Sequence, residues 1–432
     1  MAEHYFLSES YLKSAEYSRL ASRKAEKSAS YNDAIAYTKK RVTSLERLPK
    51  VEDIEKQIID ARAVLGLYLT SINHFYEIKE VIEPIINLAT RSNYRKRLCS
   101  IYTVLATYYL FVEENSTEAF KNLESALKIS EEIKDYGVSF VYAQYWFGIA
   151  SAWKCDFEKS AKYLQMALDM QTAANILWAI SGTKSSLAYF PYYLNGKIDL
   201  QFKTSNEAVH IAEESGDIWP KAISYVAHGV SLYARGLLEE AERHLLKGLE
   251  FCEKINFPVW EVVAQYHLGE IYFARRDFSH SKEFYKKGVC VLENHHLFPS
   301  SWVVVGKVGW ARSKIMNKEK GTNLESLFNY SHNNKGKIFE GWIQRYIGEI
   351  LLNIDDQHVS EAENWIEKAI EADQRNGMMF NLGQDYSLHA DLFKRKGDRL
   401  RVQENLGKAI EILKECGADG WVEKYEKELA SL

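Results

Sequence analysis

"NFPVWEVVAQYHLGEIYFARRDF", residues 256–278, carries the beat that decides the fold. Its Phe257 is followed by Phe298, Phe339 and Phe380 at equal steps of 41 residues. A single-core domain has no reason to keep such a step, whereas a stack of like units does. Read on to Gly288, the stretch sets out Leu268-Gly269, Tyr272, Ser281, Tyr285 and Gly288. Spacings of three and four are helical neighbours. The small residues mark where two helices approach, and the large ones fill the gap between them. "RRDF" separates the two helices, and Asp277 is placed to cap the second. The stretch predicts a helix–turn–helix hairpin.

The spacing returns along the chain. It is seen in Gly229, Leu232, Ala241, Leu245 and Gly248, and in Gly148, Leu164 and Ala167. It is seen again in Gly348, Leu351, Ala362, Ile366 and Ala369, and in Ala390, Phe393, Leu406 and Ala409. The small residue of each first helix falls at Ser22, Gly66, Ala106, Gly148, Tyr189, Gly229, Gly269, Gly309, Gly348 and Ala390, with steps of 39 to 44. That is ten hairpins, matching weakly at the first, second, fifth and eighth. Asp156, Asp277 and Asp398 each stand at a hairpin turn, 121 residues apart. Proline accompanies the aromatic beat at Pro258, Pro299 and Trp219-Pro220. Proline is at home in the first turn of a helix, and the neighbouring aromatic packs over the junction between units.

Composition agrees with a helical array. Six prolines in 432 residues is few, and 46% hydrophobic with 26% charged residues is ample for a folded chain. A net charge of −4 offers no basic stripe for nucleic acid. The densest basic run, Arg95-Lys96-Arg97, reads as a solvated helix face. Five scattered cysteines, Cys99, Cys155, Cys252, Cys290 and Cys416, fit a reducing compartment. The N-terminus has no basic-then-apolar leader, so a cytoplasmic location is expected. The longest uncharged run, residues 137–153, is shorter than a membrane span and reads as a buried helix.

The pattern Leu268-Gly269-Tyr272-Ser281-Tyr285-Gly288 resembles the tetratricopeptide repeat (TPR), with small-for-small and aromatic-for-aromatic exchanges. Steps near 40 exceed that family's usual 34, and longer helices would absorb the difference. The resemblance implies an all-α, right-handed α-solenoid of about ten TPR-like hairpins with a C-terminal capping helix. The expected organisation is a single superhelical domain over 1–432. Residues 1–50 form N-terminal helices and the first hairpin, 51–416 the repeats, and 417–432 the polar cap a solenoid needs.

"SASYNDAIAYTKK" near the start and "AIEADQRNGMMFNLGQDYSLHADLFKRKGD" near the end support a second resemblance. They look like the C-terminal repeat region of large bacterial signalling proteins that join a class III cyclase domain, a STAND-type ATPase and a long repeat array. That resemblance implies that cyclase and ATPase chemistry would lie upstream. No residue of this chain inherits a catalytic role from it.

The chain has no Gly-x4-Gly-Lys-Ser/Thr, Gly-x-Gly-x-x-Gly, His-Glu-x-x-His or Gly-x-Ser-x-Gly motif. His295-His296 stands alone without a Cys or Asp cluster. Glu270, Glu349 and Asp391 recur on equivalent faces and read as solvated or partner-facing. No enzyme activity, cofactor or metal is expected. What remains is recognition. Counting from the small residue of each first helix, the concave face would present Tyr145, Phe190, Tyr193, Tyr233, Tyr266, Phe273, Trp310 and Arg345, flanked by Tyr142 and Trp342. Tyr, Trp and Arg dominate binding hot spots. The expectation is a groove for a protein or peptide, centred on Tyr193, Tyr233, Phe273 and Trp310, that recruits or regulates a signalling protein. Two alternatives stay open at this stage. One is that the longer helices bury these same positions between rows. The other is a small-molecule sensor region of a larger cyclase/ATPase, with self-association a further possibility for open solenoid ends.

Overall fold

In the computed structural model, residues 1–28, 30–294 and 300–432 are described. Among them the chain forms 22 α-helices and no strand. A short helix α1 (Ala2–Leu7) leads into ten antiparallel hairpins. The first five are α2/α3 (Tyr11–Lys27, Tyr31–Glu46), α4/α5 (Glu52–Ser71, Ile78–Arg91), α6/α7 (Arg95–Phe111, Ser116–Ile133), α8/α9 (Val138–Trp153, Phe157–Ala173) and α10/α11 (Leu177–Leu187, Ile198–Ser215). The next five are α12/α13 (Ile218–Ala234, Leu238–Ile255), α14/α15 (Pro258–Ala274, Phe278–Asn294), α16/α17 (Ser300–Met316, Leu324–His332), α18/α19 (Lys337–Ile354, Val359–Asn376) and α20/α21 (Met379–Lys396, Arg399–Cys416). Helix α22 (Asp419–Ala430) follows. The chain is thus an all-α, TPR-like solenoid, and most of its helices run 16 to 18 residues. Those lengths account for the long repeat.

The sequence pattern explains the hairpins. A Cβ on Gly148 would stand 2.7 Å from Leu164 Cγ, and one on Gly229 would stand 2.7 Å from Leu245 Cγ. Glycine is therefore required where the second helix presses its Leu into the first. The three aspartates 121 residues apart all cap second helices. Asp156 accepts from Lys159 N, Asp277 from His280 N and Asp398 from Arg401 N, each at 3.1 Å. Pro258 opens α14.

Two weak matches have structural causes. In the fifth hairpin, Ala188–Tyr193 winds as a π-helix around Pro191, which has no N–H to keep the α ladder. Tyr189 there replaces the small residue. In the eighth, α17 is only nine residues long. Val138–Trp153 is a buried helix as expected, and no helix among the described residues is long and apolar enough to cross a membrane. In the basic run at 95–97 the three side chains pair with Glu132, Asp135 and Asp60, and Lys96 is exposed. Phe298, Pro299 and the His295-His296 pair lie outside the described residues.

Successive turns of the superhelix touch. The turn inside hairpin n lies on the start of hairpin n+5 five times over, and that of hairpin six lies on the start of α22. Tyr31 packs on Trp219 with ring centroids 6.1 Å apart. His74 Nε2 meets Asn256 O at 3.2 Å, and Ser301 N donates to Glu114 at 3.4 Å. Trp153 packs on Phe339 at 6.0 Å. Asn195 Nδ2 donates to Gly377 O, and Gly420 N donates to Arg235 O, both at 2.9 Å. The same turns also reach hairpin n+4. Trp153 stacks on Trp302 at 6.1 Å, and Trp219 Nε1 donates to Ser71 O at 2.9 Å. The array therefore closes one superhelical turn every four to five hairpins, and successive turns are in contact.

The Phe beat belongs to this seam. Phe257, Phe339 and Phe380 are buried. Phe257 caps α14, while Phe339 and Phe380 lie within the first turns of α18 and α20 rather than before them.

Candidate recognition surface

The inner face is lined by the first helices, and over most of its length it is filled. Tyr189 packs on Trp260 at 5.5 Å. Tyr193 packs on His267 at 5.6 Å and Phe380 at 5.8 Å. Tyr233 packs on Phe380 at 6.2 Å and Trp421 at 5.6 Å. Trp421 Nε1 also donates to Tyr233 O at 2.9 Å, across 188 residues of sequence. His267 lies inside this cluster, with Nδ1 on Val263 O at 2.8 Å and Nε2 on the Tyr193 hydroxyl at 3.3 Å. Burial drives its pKa down to about 4, so the ring is neutral.

Six residues expected in an open groove are therefore buried: Phe190, Tyr193, Tyr233, Tyr266, Trp342 and Arg345. The next superhelical turn covers Tyr193 and Tyr233, and neighbouring hairpins cover Tyr266, Trp342 and Arg345, which the repeat pattern could not reveal. Tyr142, Tyr145, Phe273 and Trp310 are half-buried. Tyr142 bonds Ser71 Oγ at 3.0 Å, and Tyr145 bonds Ser186 Oγ at 2.7 Å. Burial pushes the Tyr145 phenol up to about 12.

The C-terminal part of the inner face differs, because a buried charged layer runs through it. Its origin is one substitution in the repeat. Where other hairpins place Leu or Ile, the seventh places Tyr285, which is wedged between Gly269 and Gly309. A Cβ on either glycine would come within 2.7 Å of its ring. The Tyr285 hydroxyl donates to Glu270 and meets the Tyr346 hydroxyl at 3.0 Å. Arg312 pairs with Glu270 and, at 3.3 Å, with Glu349. The Arg312 guanidinium lies between the Phe273 and Tyr346 rings, 3.7 Å from each centroid. Burial alone would raise the Glu270 carboxyl, but Arg312 and the Tyr285 hydroxyl hold it below the ordinary carboxylate value. Burial, helped by Glu270, raises Glu349 against the pull of Arg312.

One helix further on, Arg345 Nη1 donates to Asp385 at 3.0 Å and to Asn381 O at 3.1 Å. Asp373, fully buried beside it, has neither oxygen hydrogen-bonded by a donor. Burial and the neighbouring Asp385 raise Asp373 well above the ordinary value, and burial lifts Asp385 to about 6. Both shifts favour the neutral carboxyl beside Arg345.

This layer corrects one expectation and exposes an omission. Glu270 is not solvated but buried in an ion pair, and Glu349 is half-buried in the same network, while Asp391 is exposed. Arg312, Asp373 and Asp385 were not singled out, and Tyr285 was read only as a packing position of the repeat. The available signal was Tyr285 itself, a phenol at a Leu position facing two glycines.

Beyond hairpin six the seam ends. Trp153, Tyr193 and Tyr233, at the ends of α8, the π-turn and α12, lie beneath later hairpins or α22. Among the described residues, the ring and cation contacts of their counterpart Phe273 are with Phe278 of its own turn, at 5.1 Å, and with the Arg312 guanidinium. Phe273, Trp310 and Glu349 remain half-open, with exposed Asp391 near the same helix ends.

No protein-family model and no curated protein matches the sequence. Among solved structures, the chain is similar to a Rap protein complexed with competence and sporulation factor. The TM-score is 0.56 at 14% identity, covering 89% of this chain and 98% of that one. It is also aligned with the apo form of RapI, at TM-score 0.46 and 12% identity over 94% and 98%. A third alignment is to a STAND protein with a tetratricopeptide repeat sensor from Pyrococcus horikoshii, at TM-score 0.40 and 16% identity over 96% and 74%. The likeness to the Rap protein is one of fold, and it defines this chain as a TPR-like helical-repeat protein.

Proposed function

We propose that the chain is a non-catalytic recognition scaffold that takes a protein or peptide segment on the open part of its inner face and so recruits or regulates a signalling protein. The carrying observation is the end of the seam. Phe273 and Trp310 stay half-exposed at positions whose counterparts in earlier hairpins are roofed over, and Arg312 and Glu349 are fixed beside them. An anchored aromatic pair next to fixed charge suits a hot spot. The fold is one that, in the Rap protein, is found complexed with competence and sporulation factor. Tyr142 and Tyr145 line the inner face too, but their hydroxyls are committed to serines within the chain. Five free cysteines support a reducing, cytoplasmic setting.

The test is affinity capture from the source cell with three proteins: wild type, the double variant Phe273→Ala/Trp310→Ala, and Leu12→Ala as an exposed control remote in sequence. A protein held by wild type and by the control but lost by the double variant supports this surface. The same set held by all three overturns it.

A small-ligand reading has one observation in its favour. A half-open cavity of about 180 Å³ lies in the first seam contact, lined by Tyr31, Ile72, Trp219 and Ile255 with Asn32 and Asp33 alongside. A ligand bound there would raise the melting temperature with its concentration, by mass action.

A further inference from the structure

Away from the inner-face aromatics, α19 and α20 bring three ligand-type side chains together. Glu363 and Glu367 lie one turn apart on α19, and His389 comes from α20. One carboxylate oxygen from each Glu and one imidazole nitrogen all lie within 4.8 Å of one another. Both ring nitrogens of His389 are shielded from solvent. An imidazole always carries at least one N–H and, when neutral, one lone pair. The adjacent Asn405 donates its amide nitrogen to Arg401 O at 2.8 Å, which leaves its oxygen to interact with the imidazole N–H and the other ring nitrogen to ligate. The ring packs on Phe393 with centroids 4.7 Å apart.

We propose that Glu363, Glu367 and His389 form a site for a divalent transition-metal ion of the Zn²⁺ class. One nitrogen and two carboxylate donors are the mixed set Zn²⁺ accepts, and a water would complete four-coordination. Ca²⁺ and Mg²⁺ prefer all-oxygen shells and leave the imidazole unused. Zinc–ligand bonds of about 2.0–2.2 Å suit donors gathered within this 4.8 Å spread, so one ion can bridge α19 and α20. Lys396 and Arg401, which pair with Glu363, are partly exposed side chains able to swing aside. The ion would staple hairpin nine to hairpin ten. Motif reading misses the site because the His lies 22 residues beyond the second Glu and on another helix.

The experiment uses the full chain, stripped with EDTA, in a Cys290→Ser background that removes the exposed thiol as a competing ligand. Co²⁺ is titrated and followed by visible absorption, and Zn²⁺ by its effect on the melting temperature. The expected result is saturable binding of one Co²⁺ and a Zn²⁺-dependent rise in melting temperature. Binding should weaken about tenfold or more in both His389→Gln and Glu367→Gln. Glu367 is exposed, so its variant tests the site without disturbing the packing of α20. Absence of saturation up to about 1 mM metal, or equal binding by wild type and both variants, overturns the proposal.

Discussion

The first helices of hairpins four to six and those of hairpins seven to nine share one design and end differently. Trp153, Tyr193 and Tyr233 close the earlier group beneath a second layer of hairpins, whereas Phe273 and Trp310 in the later group face outward on one side. Trp153, Tyr193, Tyr233 and Phe273 are all aromatics at or near a first-helix end, so residue type does not decide exposure. Position in the coil does, because such an end is roofed where a later hairpin or α22 lies over it. The lesson is that surface and core in this array are assigned by count along the chain.

The widest test of that contrast is truncation on each side. Trp153→Ala should cost about 3–5 kcal/mol, the usual range for a buried Trp. Phe273→Ala should cost clearly less, because one side of its ring already meets solvent. Urea unfolding of both variants measures the difference, and equal costs would mean that Phe273 is roofed as well.

Next in size is Arg312→Met. Removing this guanidinium leaves Glu270 charged and buried, at a cost of about 3 kcal/mol or more. Adding Glu270→Gln should restore much of the loss, which a double-mutant cycle would read directly.

A smaller, pH-dependent effect is expected at Asp373. Its folded pKa is raised by burial and by Asp385, so the stability it contributes is present at low pH and lost as pH climbs through the raised value. Asp373→Asn mimics the protonated form and cannot ionise. Wild type should therefore lose stability relative to this variant from about pH 4 upward. Parallel urea midpoints across that range would contradict the assignment.

The smallest effect should be the same on both sides of the comparison. Asp156→Ala and Asp277→Ala each remove one N-cap bond of 3.1 Å and should each cost about 1 kcal/mol. A cap is local and does not sense the coil around it.

These contrasts show what could be read in the sequence. Hairpin count, helix phase and capping aspartates were legible because each depends on residues a few places apart. Burial of the inner face was not, because superhelical pitch follows from small rotations between units that no local pattern records. The charged layer was illegible for another reason. Arg312, Glu270 and Asp385 sit at unremarkable helical positions, and only folding brings them together.

The contacts between superhelical turns also change how the molecule should fold and yield. An ordinary solenoid behaves as a row of dominoes, each unit conversing only with the next, and it can fray or nucleate anywhere. Here Asn195 holds Gly377 and Tyr233 holds Trp421, across 182 and 188 residues. Such long closures cost loop entropy before they return any contact, so refolding should be slow for a helical protein. Once formed they bind early and late hairpins into one cooperative block. Tension applied at the chain ends would meet a spring wound solid, which resists until a seam parts and then lengthens in a single large step.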